Sequence, residues 1–135
     1  MVNQKRSGTD FERKITKFLN RFSKYWKWKR IAGSGAIGTN LSEPGLMGDV
    51  VGQSENVPFK IKVEAKFGYG GSKQITIKKE WLDKITEEAS FTNDIPVLMA
   101  RFKGSKRGVT EMAILNLEDF IQLIDWIAEL HNLEV

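Results

Sequence analysis

The chain has no cysteine. Disulfides, thiolate zinc sites, iron–sulfur clusters and cysteine nucleophiles are therefore excluded. It has one histidine, His131, which falls in an acidic tail and reads as a surface residue rather than a ligand or base. No window of 18 or more apolar residues occurs, so no membrane span is expected. The opening Met1-Val2-Asn3-Gln4-Lys5-Arg6-Ser7-Gly8 lacks an apolar run behind its charges, which argues against a signal peptide and for work inside a cell, in the cytoplasm, at a nucleoid or, for a viral protein, in a host. Repeats and low-complexity tracts are missing too. With 135 residues, 41% of them apolar, residues 1–135 are expected to form one domain with a real core.

Acids are scarce at one end and cations absent at the other. Residues 1–30 carry ten Lys and Arg against Asp10 and Glu12 alone, whereas residues 111–135 carry six acids and no Lys or Arg. A basic half opposite an acidic half orients a molecule toward a polyanion, of which nucleic acid is the commonest in a cell. A merely solvated basic helix is the alternative reading of the same charges.

Periodicity predicts a helix over 8–23, with Phe11, Ile15, Phe18, Leu19 and Phe22 as one buried stripe. Thr9 with Glu12 fits a capping box, as does Ser7 with Asp10; in the second case Glu12 is a carboxylate at a buried edge in need of a partner. A strand over Tyr25–Ile31 sets Trp26 and Trp28 on one face and Lys27 and Lys29 on the other, the tryptophans serving the core or stacking on bases. The glycine-rich stretch 33–45 matches G-x-G-x-x-G, but Asn40-Leu41-Ser42-Glu43-Pro44-Gly45 cannot open the helix a dinucleotide needs, and Thr39 stands where a phosphate-binding loop requires Lys. It reads as a loop that rides over phosphates or acts as a lid, with Ser34 as its hydroxyl.

The central feature is a hairpin. Gly48–Gly52 and Phe59–Phe67 are two strands joined by a turn over 53–58, and the second alternates without a fault. Phe59, Ile61, Val63, Ala65 and Phe67 share one face; Lys60, Lys62, Glu64 and Lys66 share the other. If the strands pair antiparallel, Asp49 comes close to Glu64, and two carboxylates sit beside the Lys66 ammonium as a divalent-metal site with a built-in cation. The plain alternative is an amphipathic strand with a solvated Lys-Lys-Glu-Lys face.

A second flexible loop, 68–73, carries Lys73. A helix over 78–89 follows, packing Trp81, Leu82, Ile85 and Ala89, then an interior strand over 95–102 and a last strand over 109–115. In the final helix, 117–131, Phe120, Ile121, Ile124, Ile127 and Ala128 are expected to cover the sheet. Leu123, Trp126, Leu130 and Leu133 form a second apolar row, a surplus that suggests a subunit interface.

The order of elements is α/β, and Glu12, Asp49, Glu64 and Lys66 follow the PD-(D/E)xK nuclease pattern. More narrowly, Ser7-Gly8-x-x-x-Glu12-Arg13, Arg30-x-x-x-Ser34-Gly35-Ala36, Gly48-Asp49 and Glu64-Ala65-Lys66 resemble an archaeal-type Holliday junction resolvase, over residues 5 to 103. Two departures stand out: Gly48 replaces the usual Pro before the motif Asp, and Trp81 aligns where members often carry Gln, whose polar group is then missing or supplied by Lys78 or Lys79.

The resemblance implies a restriction-endonuclease-like mixed central β-sheet flanked by α-helices, and a homodimer that cuts a four-way DNA junction by paired symmetric incisions. It implies Mg²⁺, with Mn²⁺ as a substitute, held by Asp49, Glu64, the Ala65 carbonyl and Glu12, with Lys66 and Ser34 completing the catalytic set. Lys5, Arg6, Arg13, Lys29, Arg30, Ser34 and Lys73 are the expected DNA contacts. A restriction or repair nuclease of the same fold, or a non-catalytic DNA-binding module, would share much of this pattern. Nucleases that depend on histidine are excluded, since His131 cannot serve.

Overall fold

A computed structural model describes residues 4–31 and 49–133, with the backbone alone at 4–7 and 133. Ser34 and the glycine-rich stretch lie outside the described residues, as do the side chains of Lys5, Arg6 and Leu133.

Five strands form one mixed sheet in chain order: β1 (Lys27–Arg30), β2 (Val50–Gln53), β3 (Ile61–Phe67), β4 (Ile95–Arg101) and β5 (Glu111–Ile114). The β1–β2, β2–β3 and β4–β5 pairs are antiparallel, while β3 and β4 run parallel. A parallel pair needs a crossover, and helix α2 (Lys79–Ser90) supplies it. The remaining helices among the described residues are α1 (Gln4–Phe22) and α3 (Leu117–Leu133).

The faultless alternation of β3 sorts the two faces. Val63 pairs with Val50 on one side and Val97 on the other, and this face is closed by Phe11 and Ile15 of α1, with Leu19, Leu123 and Trp126 at its margin. The opposite face, with Val51, Leu98 and Ala100, lies under Trp81, Ile85 and Ala89 of α2. Burial of β4 on both faces explains its unbroken apolar run.

Three expectations are corrected here. First, the plain alternative of a solvated Lys-Lys-Glu-Lys face fails at its middle: Lys62 and Glu64 are covered, at 0% and 3% exposure, while Lys60 is exposed and Lys66 half-buried. Lys62 Nζ donates to Thr92 Oγ1 at 2.9 Å and lies 3.8 Å from Asp94 Oδ2, while Asp94 Oδ1 accepts the Lys60 amide at 2.8 Å. Burial pulls the Lys62 pKa down against the opposing charge of Asp94.

Second, α1 begins at Gln4, so Glu12 lies in the helix interior and neither capping box forms. Phe18 and Phe22 leave the buried stripe; they are exposed and pack on each other with tilted rings, centroids 4.7 Å apart. α1 packs on β1 and β3, and the row Phe11, Ile15 and Leu19 suffices for that contact.

Third, the rows of α3 are exchanged in part, Leu130 of the second row staying exposed. Leu123 and Trp126 pack inward, Trp126 stacking on Phe59 at 4.6 Å, whereas Phe120, Ile121, Ile124, Ile127 and Leu130 are exposed. The strand β5 ends at Ile114 opposite Leu98, and α3 leaves from that edge, which turns the Leu123–Trp126 side onto the start of β3.

Candidate functional site

Asp49 is fixed by the sheet before its side chain does anything. Its amide donates to the Val63 carbonyl at 2.8 Å and its carbonyl accepts the Ile31 amide at 2.9 Å, which ties it to both neighbouring segments. The side chain then turns along the sheet, and Oδ2 accepts the Ala65 amide at 2.8 Å. Since Ala65 follows Glu64, this bond brings the two carboxylates together at the end of the hairpin, as the antiparallel pairing predicts.

Glu64 is covered by α2 yet keeps its charge partners close. Lys66 Nζ lies 3.3 Å from Oε1 and Lys84 Nζ 3.5 Å from Oε2, an oxygen that is buried and accepts no hydrogen bond. Burial and the Asp49 charge raise the Glu64 pKa, and the two lysines pull it partly back. Burial lowers Lys84, but the charges of Glu64, Glu88 and Asp49 outweigh it and leave its pKa raised. Lys66 sits over the Trp81 ring at 4.8 Å and the Tyr69 ring at 5.9 Å, so an aromatic shelf supports its stem and head.

Glu12 is drawn in from the other face. Arg30 Nε donates to its Oε2 at 3.0 Å, and burial raises its pKa while Arg30 opposes the rise. It is near enough to Asp49 and Lys66 to feel both charges. Arg30, expected at DNA, is thus engaged with Glu12.

Among the described residues no three Asp, Glu or His side chains converge as a ready-made cluster. The donor set is two neighbouring carboxylates, linked by the Ala65 amide that follows Glu64 in the chain and donates to Asp49. Mg²⁺ fits this: it takes one or two carboxylates, keeps several waters and prefers hard oxygen donors, whereas a structural zinc site would require four nitrogen or sulfur ligands.

Of the other residues singled out in the sequence, Arg13 is exposed and 3.9 Å from Asp10, a pairing of little consequence for the fold. Lys73 is exposed, and Lys29 is exposed on the same sheet face as Lys62 and Glu64. Lys78 lies over the Tyr69 and Trp81 rings and Lys79 is taken by Asp83 at 2.7 Å. Neither lysine offers Glu64 the polar group that Trp81 cannot; Lys84 does. It stands three residues after Trp81 and four before Glu88, at the edge of the buried side of α2, a spacing that does not by itself name Glu64 as the partner.

A five-stranded mixed sheet with a motif Asp ahead of one strand and Glu-x-Lys at the end of the next defines the PD-(D/E)xK nuclease class. Residues 3–127 match the model of a family described as "Phage putative PDDEXK endonuclease", and the chain belongs to that family. A search of curated proteins finds no match. Among solved structures the fold is similar to Hjc of Archaeoglobus fulgidus, a Holliday junction resolvase from an archaeal hyperthermophile, with 15% identity and a TM-score of 0.50 over 82% of this chain and 84% of that one.

Proposed function

We propose that the protein is a Mg²⁺-dependent endodeoxyribonuclease that resolves four-way DNA junctions by paired incisions as a homodimer in the cytoplasm of the cell that makes it. The observation that carries the nuclease reading is the Asp49 side chain bonded to the Ala65 amide, which sets Asp49 beside Glu64 with the Lys66 ammonium 3.3 Å from that carboxylate. Asp49, Glu64 and the Ala65 carbonyl are assigned to hold the metal, and Glu12 to reach it through water. Bound there, Mg²⁺ or Mn²⁺ supplies neutralisation of phosphoryl oxygens and a lowered pKa for water.

The protein's own groups do the rest. Asp49 and Glu64 present fixed negative charge and orient water by accepting its hydrogen bonds. Lys66, propped on Trp81, is assigned to the negative charge that builds on the phosphoryl oxygens. Ser34 is assigned to the DNA near the cut, and Lys5, Arg6, Arg13, Lys29 and Lys73 to phosphates, with Arg30 acting chiefly through Glu12.

The junction preference is supported by the sequence resemblance and by the fold likeness to Hjc, itself a resolvase. Two symmetric cuts call for two equivalent sites, which a two-fold dimer provides. The exposed row Phe120, Ile121, Ile124 and Ile127 is the surface assigned to that dimer. The testing experiment compares cleavage of a synthetic four-way junction with a linear duplex of the same arms, with Mg²⁺ and with EDTA. Asp49→Asn and Glu64→Gln are expected to lose cleavage and keep binding. Equal cutting of both substrates moves the assignment to a general nuclease of this fold, and full activity of either variant removes the site.

A further inference from the structure

Glu64 carries two ammonium neighbours, and they are not held alike. Lys66 is pinned between its carboxylate and the Trp81–Tyr69 shelf, its side chain 22% exposed. Lys84 is 48% exposed and comes from a different element, α2. One turn further along that helix stands a second carboxylate, Glu88, whose Oε1 lies 3.9 Å from the same ammonium. Lys84 therefore has two carboxylates within reach of one side-chain swing, and one of them is the residue that a divalent cation needs.

A dication cannot take up the Oε2 side of Glu64 while an ammonium remains 3.5 Å from it without strong like-charge repulsion at a 3%-exposed carboxylate. Lys66 answers only the Oε1 side; the buried Oε2, which accepts no hydrogen bond, is equally unfavourable with no cation near it before the metal arrives. Both conditions are met by a cation that stays while the site is empty and moves when it fills. We infer that Lys84 is a displaceable counter-ion of Glu64, which neutralises the carboxylate in the metal-free protein and transfers to Glu88 when a divalent cation binds. This rests on the metal-site reading of Asp49 and Glu64, and assigns Lys84 a positioning role, acting on the metal through Glu64.

The test measures Mn²⁺ binding to the whole protein without DNA, by calorimetry at fixed pH. Lys84→Met removes the competitor and is expected to tighten Mn²⁺ binding by about 3- to 10-fold, the size of one partly solvated charge pair. Lys84→Arg, which keeps a cation, is expected to restore wild-type affinity. Glu88→Gln removes the alternative partner and is expected to weaken Mn²⁺ binding by about 2- to 5-fold. Unchanged or weaker binding by Lys84→Met overturns the inference, and so does a Glu88→Gln variant that folds and binds as the wild type does. Asp49→Asn separates this from the underlying reading: if it binds Mn²⁺ as well as the wild type, the metal site itself is misassigned.

Discussion

Glu64 is asked to be a covered carboxylate and an ionised one at once. Burial and the Asp49 charge raise its pKa above the ordinary 4.5, so in the window upward from that value the folded protein holds a proton that the unfolded chain has released. Stability of the metal-free protein therefore falls as pH rises through the window and stays lowered above it. Glu64→Gln is expected to melt higher than wild type at neutral pH in EDTA, with a flatter dependence on pH above 4.5. A residual slope belongs to Glu12, raised in the same direction by its own burial. Melting curves between acid and neutral pH decide it, and a lower neutral melting temperature in Glu64→Gln would show that its lysine pairs outweigh its burial. Asp49, Glu64 and Lys66 were legible in the sequence because strand alternation is strict and local. Lys84 was not, since its approach to Glu64 depends on how a helix 20 residues away lies across the sheet.

Elements set the tolerances within which those residues meet. The register of β2 on β3 is what brings Asp49 beside Ala65, and β1 buttresses it from the edge. Gly52 pairs with Trp28, and a Cβ at Gly52 would run into the six-membered ring of that tryptophan. The ring is unable to yield easily: its Nε1 donates to Ser23 Oγ at 2.8 Å, and the Trp28 amide and carbonyl are both bonded by the Asn20 side chain. Gly52→Ala is expected to destabilise the fold by about 1–3 kcal/mol, read from urea unfolding, and to lower Mn²⁺ affinity as β1 shifts Asp49 through Ile31. Wild-type unfolding by Gly52→Ala would mean that β1 is free to move aside. The hairpin, the crossover helix and the interior strand were readable from their patterns. The two rows of α3 were readable as rows, but which one faces inward depends on the edge from which β5 releases the helix, a non-local fact.

At the scale of the molecule, α1 and α3 share one sheet face and carry opposite charge. The exposed row of α3 is apolar and flanked by Glu118, Asp125 and Glu129, which suits a protein neighbour and would be repelled by DNA. Ile124→Glu combined with Ile127→Glu is expected to convert the proposed dimer to a monomer in sedimentation at micromolar concentration without lowering the melting temperature. Trp126→Ala is expected to lower the melting temperature, because that ring is packed on Phe59. A double-Glu variant that stays dimeric would move the interface to another surface, and junction cutting by a monomer would separate activity from symmetry. No helix among the described residues is long and apolar enough to cross a membrane.

The clasp of Lys62 by Thr92 and Asp94 bears on the order in which the chain comes into being. Lys62 and Glu64 alternate with core residues on one strand, and both are covered only when α2 has crossed over and β4 has laid down parallel to β3. Synthesis delivers the hairpin first, with its carboxylates on an open, wet face. The pieces that close it, from Lys84 to Arg101, emerge later, and such long-range parallel pairing is slow to form. A chain halted before β4 thus carries every residue of the Asp, Glu and Lys motif and still lacks the covered site, so the surroundings that the proposed cleavage needs are completed only after β4 has emerged.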